Sequence, residues 1–77
     1  MSGSLSEFNK LINAEDYFDF FQIEYDQKVV NINRLHILQK FSEYINEIDG
    51  NNSELNDYDR LGKYSEALQQ AYQVFIE

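Results

Sequence analysis

The stretch VVNINRLHIL, Val29 to Leu38, decides how the chain folds. Val29 and Val30 close a β-branched, partly alternating run, QIEYDQKVV (22–30), whereas Leu38 opens a stripe of Leu38, Phe41, Ile45 and Ile48 at helical spacing, flanked by Ile37 and Tyr44. No second strand-like run exists for the first half to pair with, and a lone strand leaves its backbone unsatisfied, so residues 22–30 are predicted as an extended connection. Asn31 or Asn33 then offers a side-chain oxygen to the free amides of a helix, which is expected to run to about Ile48 before Asp49 and Gly50 stop it.

Before this segment, Ser4 and Glu7 have capping-box spacing, and Leu5, Phe8, Leu11 and Ile12 fall on one face of a short first helix. Asn13 ends that helix and caps a second. There Glu15 and Asp16 occupy the first turn, favoured by the positive end of the helix dipole, and Tyr17, Phe18, Phe20 and Phe21 follow. At about 100° per residue these aromatics spread over an arc too wide for one neighbouring helix to cover, with Asp19 opposite. After the polar loop DGNNSELND, a last helix carries Leu61, Tyr64, Leu68, Ala71, Tyr72 and Phe75. No proline interrupts any of these segments, where average usage gives roughly four. The expected fold is a single all-α domain over 1–77 without a sheet: two short helices, then two longer ones packed as an antiparallel pair.

A chain of 77 residues buries only about 60% of its unfolded surface, so its stability needs support beyond the core. Disulfides are excluded by the absence of cysteine, and a single histidine makes a metal a poor substitute. Association is the expected support, and twelve aromatic side chains favour it. Net charge −8 repels phosphate backbones, which argues against nucleic acid, and no apolar run reaches the ~18 residues of a membrane span or resembles a signal peptide. A cytoplasmic protein is expected. Charge is unevenly distributed: residues 28–42 hold Lys28, Arg34 and Lys40 and no acid.

Arg34 projects near the middle of the third helix's apolar arc. Two readings stand: its stem packs on the core edge while its head pairs with an acid such as Asp26 or Glu24, or its planar fork docks a partner carboxylate. His36 falls on the polar side with Lys40, Glu43 and Glu47 and reads as a solvated residue. The loop starting at Asp49 superficially matches a calcium-binding loop through Asp49, Asn51 and Ser53, but Glu54 replaces the turn glycine and Arg60 the bidentate glutamate. Neither a phosphate-binding glycine loop nor a zinc-binding HExxH pattern occurs, and no two carboxylates stand out as an acid/base pair. No enzyme, cofactor or metal site is expected.

The residues AEDYFDFF and YDQKVVNINRLHILQKFSEYI together resemble the nitrogenase-stabilizing/protective protein family (NifW), which carries an Ala-Glu-(Asp/Glu)-Phe-Phe-like segment followed by a Val-Val-Asn-Val-x-Arg-Leu-His-Ile-Leu core. The likeness extends from about Leu5 to Phe75. It implies a non-catalytic accessory protein of nitrogen fixation that associates with the molybdenum-iron protein of nitrogenase, protects it from oxygen or aids its maturation, and forms homo-oligomers, expected to be trimers. A general helical oligomerisation module with another client is the alternative. Members often have proline where this chain has Gln27, and usually continue past the segment matching AYQVFIE, an extension this chain is expected to lack. With no thiol and one methionine, the chain has few oxidisable groups, so protection is expected to act through contact. The positive segment and the wide aromatic arc nominate Arg34, Lys28 and Lys40, with Tyr17, Phe18 and Phe21, as partner-binding residues.

Overall fold

In a computed structural model, residues 4–51 and 54–76 form four helices: α1 (Leu5–Phe8), α2 (Ala14–Phe20), α3 (Gln27–Asn51) and α4 (Asp57–Gln73). No strand occurs among the described residues, and the chain is an all-α domain. Ser4, in extended conformation, caps α1 by accepting the Glu7 amide at 3.2 Å. This helix closes earlier than its apolar spacing predicts. The Lys10 and Leu11 amides donate to the Glu7 and Phe8 carbonyls three residues back, a tightened end that turns the chain and leaves Ile12 79% exposed. Asn13 is extended, and its amide donates to the Asp16 carboxylate at 3.3 Å, starting α2 as expected.

The end of α2 is unusual. Ile23 donates to the Phe18 carbonyl and Gln22 to Asp19, with Gln22 at φ 58°, so the chain reverses through a left-handed residue that is not glycine. Only six residues, 21–26, then separate α2 from α3, and the expected extended connection over 22–30 runs four residues too far. The Asp26 side chain accepts the Lys28 amide at 2.9 Å and its carbonyl accepts from Val30, so α3 begins at Gln27. Val30 is fully buried there; the packing it gains outweighs the modest helix penalty of two adjacent valines. Asn31 and Asn33 are therefore not caps. Asn33 sits at a kink (φ −112°, ψ 15°), where its side-chain amide donates to the Val29 carbonyl at 3.0 Å.

Past the kink, α3 continues through Asp49 and Gly50 to Asn51 rather than stopping near Ile48. Asp49 is held from the next helix: Arg60 Nη1 and the Tyr64 hydroxyl each donate to its Oδ1 at 2.6 Å. These bonds fasten the last turn and offset the cost of a helical glycine. With 25 residues at about 1.5 Å rise, α3 accounts for the 36 Å long axis. The α4 helix starts at Asn56, whose side chain accepts the Asp59 amide at 2.8 Å, with Asp57 and Asp59 in the first turn. Asp49 meets Arg60 near the start of α4, and the Asp26 amide donates to the Tyr72 hydroxyl at 2.8 Å near its end, so the two long helices are antiparallel.

The core lies where all four helices meet. Leu61, Tyr64, Ala67, Leu68 and Ala71 line the inner face of α4, opposite Val30, Ile37 and Phe41 of α3. Ile37 is fully buried and Leu38 only partly, so the centre of the α3 face is one residue earlier than its sequence stripe indicates. Val30 and Ile37, seven residues apart on either side of the kink, are both fully buried, so the inner face keeps its phase across Asn33. Phe8 fills the junction, with ring centroids 5.1 to 6.2 Å from Tyr17, Phe20, Phe21, Phe41 and Tyr64. On the other side of α2, Phe18 meets Tyr25 at 4.8 Å and Tyr72 at 5.3 Å. The wide aromatic arc is thus covered by α1, α3, α4 and the α2–α3 connection together.

Candidate interaction surface

Arg34 and Glu15 form the most elaborate polar contact. The guanidinium donates to both carboxylate oxygens, Nη1 to Oε1 and Nη2 to Oε2, the latter at 2.5 Å, and Nη2 also reaches Asn31 Oδ1 at 3.0 Å. Gln27 Nε2 completes the cluster by donating to Glu15 Oε2 at 2.8 Å and to Asn31 Oδ1 at 2.9 Å. Arginine's planar fork suits this bidentate geometry. Hydrogen bonding from Arg34, with smaller help from the Glu15 backbone and Gln27, lowers the Glu15 carboxyl from 4.5 to about 2, and Glu15 in turn raises Arg34. Arg34 does pair with an acid of its own chain, but the acid is Glu15 at the start of α2 and not Asp26 or Glu24. The bond ties α2 to α3.

The second cluster, Arg60, Asp49 and Tyr64, fastens α3 to α4. Burial, followed by the bond to Asp49, raises the Tyr64 hydroxyl above its ordinary value. In this geometry Arg60 points its guanidinium at Asp49, the residue a calcium-binding loop would use first, so the apparent match in the loop is occupied by an ion pair. Among the described residues no three acids or histidines gather as metal ligands.

The six residues nominated as partner contacts fare unequally. Phe18 is fully buried and Phe21 9% exposed, because both belong to the core of the single chain. Tyr17 is half-buried: its ring packs on Phe8 and Phe41, its hydroxyl donates to the Leu11 carbonyl at 3.0 Å, and burial raises its ionisation above the usual tyrosine value. Arg34 keeps a third of its side chain in solvent while bound to Glu15. Lys28 is exposed; Lys40 lies 4.0 Å from Glu43 and over the Tyr44 ring. His36 is exposed, its ring edge-on to Phe75.

Three apolar residues stand out in solvent: Ile12, which the sequence placed on the apolar face of the first helix, and Ile32 and Leu35, which no sequence stripe included. Ile12, Ile32 and Leu35 are 79%, 80% and 77% exposed. Ile32 and Leu35 are one turn apart on α3, and Leu38, one turn further, lines a shallow groove with Ile12, Phe41, Ser42 and Ile45. The signal was available, because Leu35 projects about 100° from Arg34 and so lies off the core arc.

Fold and surface together define a small acidic all-α domain whose polar clusters brace its own helices and whose exposed side presents an apolar strip on its longest helix. No solved structure matches the chain. Residues 3–77 match the family described as Nitrogen fixation protein NifW, and the chain belongs to that family. It is 56% identical over all 77 residues to the nitrogenase-stabilizing/protective protein NifW of Nostoc punctiforme, covering 73% of that relative. The corresponding NifW 1 protein of Trichormus variabilis is 57% identical over 76 residues, 99% of this chain and 72% of the relative. The protein of that name from Trichodesmium erythraeum is 44% identical over 73 residues, 95% of this chain and 70% of its own. The resemblance read from NINRLHILQKF is thereby established, and with it an accessory role in nitrogen fixation.

Proposed function

We propose that this chain is a non-catalytic accessory protein that binds the molybdenum-iron protein of nitrogenase and stabilises or protects it. The observation that carries the reading is 56% identity along the full chain to a relative named for stabilising or protecting nitrogenase. The arrangement of polar groups supports it: Arg34, Glu15, Asp49, Arg60 and Tyr64 are engaged with one another across helix boundaries. Protection then works through contact, by covering a vulnerable part of the client or holding it in a stable arrangement. Absence of cysteine suits a protein that operates where oxygen is the hazard.

Among the described residues no helix is long and apolar enough to cross a membrane, which suits a client met in solution in the cytoplasm. Self-association, with a trimer as the form to look for, belongs to the same reading. The test uses purified molybdenum-iron protein on a sensor surface and in an oxygen-exposure assay. Retention of the chain, together with slower loss of nitrogenase activity in air when it is present, is the expected result. Failure of the chain to be retained by any assembly state of the client would overturn the reading.

A further inference from the structure

We infer that Ile32 and Leu35 of α3, extended by Ile12, form the docking surface of this domain, and that its occupant is a partner protein whose contact patch is apolar and edged by carboxylates. The inference rests on the binding role proposed above and assigns a surface to it. Isolated exposed apolar residues are ordinary on any protein; what distinguishes these is their convergence. Ile32 and Leu35 stand one turn apart, both more than three-quarters exposed, although the same helix buries Val30, Ile37 and Phe41 completely or nearly so. From Leu35 the strip passes to half-buried Leu38 and into the groove that Ile12 and Ile45 line with it. Hydrophobic side chains thus run along about four turns of α3, with Ile12 contributed from the α1–α2 connection.

Charge selects the occupant. Residues 28–42 carry no acid in a chain of net charge −8, and exposed Lys28 precedes Ile32 by one turn. Exposed Lys10 lies two residues before Ile12. A two-fold contact with a second copy centred on Ile32 and Leu35 lays the acid-free stretch 28–42 on the same stretch of the other copy, so the cations Lys28 and Lys40 face each other and no carboxylate of that stretch. Like charges at a contact rim slow association and weaken it, whereas a carboxylate-edged apolar patch complements both parts of the strip. The aromatic residues nominated from sequence are not needed for this contact; Phe18 and Phe21 remain in the core.

The test measures binding of the wild-type chain and its variants to immobilised molybdenum-iron protein, with circular dichroism and sedimentation on each. Ile32→Ser with Leu35→Ser is expected to weaken binding at least about tenfold, as loss of interface anchors does. Lys28→Glu is expected to weaken it with a reduced dependence on salt. Tyr58→Ser, which removes an apolar residue 74% exposed on α4, should bind as wild type, and all variants should keep the helical spectrum. If wild type binds and the double variant binds equally well, this surface assignment is wrong while the client reading stands. If wild type is not retained, both fall. Should the double variant dissociate a self-assembled wild type yet hold the client unchanged, the occupant is a second copy and the assignment to a partner protein is overturned.

Discussion

Three consecutive residues of α3 offer the sharpest test of the fold, because His36 is exposed, Ile37 fully buried and Leu38 half-buried. Replacing Ile37 by alanine removes three carbons from a site with no solvent access. At about 0.8 kcal/mol per buried methylene the transfer loss is ~2.4 kcal/mol, and a residual cavity brings the expected cost to about 3 kcal/mol, inside the usual range for such truncations. A domain of 77 residues has a total stability of about 4 to 12 kcal/mol, so this one change removes a quarter or more of it. Urea melts followed by far-ultraviolet circular dichroism give the comparison, with the denaturant slope expected to stay constant. Leu38→Ala should cost about 1 to 2 kcal/mol and His36→Ala under ~0.5 kcal/mol. At roughly 4 to 8 °C per kcal/mol, Ile37→Ala should melt at least 12 °C below wild type. If Leu38→Ala proved more damaging than Ile37→Ala, the phase of α3 past its kink would be misassigned, and the position of Leu35 in solvent would be lost with it.

Glu15 has a carboxyl lowered from 4.5 to about 2, so its contribution to stability is fully present above pH 4.5 and disappears as pH falls toward 2; Glu15→Gln should flatten the acid limb of the stability profile measured between those values. Arg34→Glu places two carboxylates together at the α2–α3 junction and should lower the urea midpoint, and the exchanged pair Glu15→Arg with Arg34→Glu should recover part of that loss, which a contact role for Arg34 alone does not foresee. Tyr64→Phe deletes the hydroxyl bonded to Asp49 and should cost about 1 kcal/mol, read from the same melts, with helix content near Gly50 reduced in amide exchange. Gln22→Gly relieves a left-handed backbone at φ 58° and should raise stability by about 1 kcal/mol; a loss would show that the Gln22 side chain contributes something the backbone geometry does not reveal.

Local chemistry made the short helices and α4 legible. Ser4 with Glu7, and Asn13 with Asp16, are capping pairs separated by three residues, and both form as their spacing predicts. The α4 stripe of Leu61, Tyr64, Leu68 and Ala71 is equally local. What escaped prediction depended on residues far apart in sequence. Val29 and Val30 look like strand residues until Val30 is given a core to enter; Asp49 and Gly50 look like a stop until Arg60 and Tyr64 reach back from α4. Of the two readings of Arg34, pairing with an acid of its own chain is the one the fold displays, but Glu15 is 19 positions away, and nothing in composition ranks it above nearer Asp26 or Glu24. Ile32 and Leu35, the residues of the inferred docking strip, carry neither charge nor aromatic ring, the two features that mark the nominated contact set.

The case for association also changes its physical basis once the chain is folded. From the sequence it rests on an unfinished core, because the aromatic arc of one short helix is too wide for one neighbouring helix to cover. In the fold that arc is closed by Phe8, Phe41, Tyr25 and Tyr72 of the same chain, and the accessible surface of 5118 Å² lies close to the ~4,900 Å² expected of a folded monomer of this mass. Its 12.0 Å radius of gyration is likewise near the ~11.5 Å of a compact domain with this many residues. A monomer of this kind does not need a neighbour to complete its interior. On the surface assignment inferred above, the drive to bind the client resides in Ile12, Ile32 and Leu35, and a surface of three aliphatic residues beside Lys28 supports an interaction that can be made and released. That is what a protein accompanying a client requires, and it predicts that binding and folding separate cleanly: variants of this strip should lose the partner while unfolding at the wild-type urea midpoint, and Ile37→Ala should lose stability first and binding only as the unfolded fraction grows.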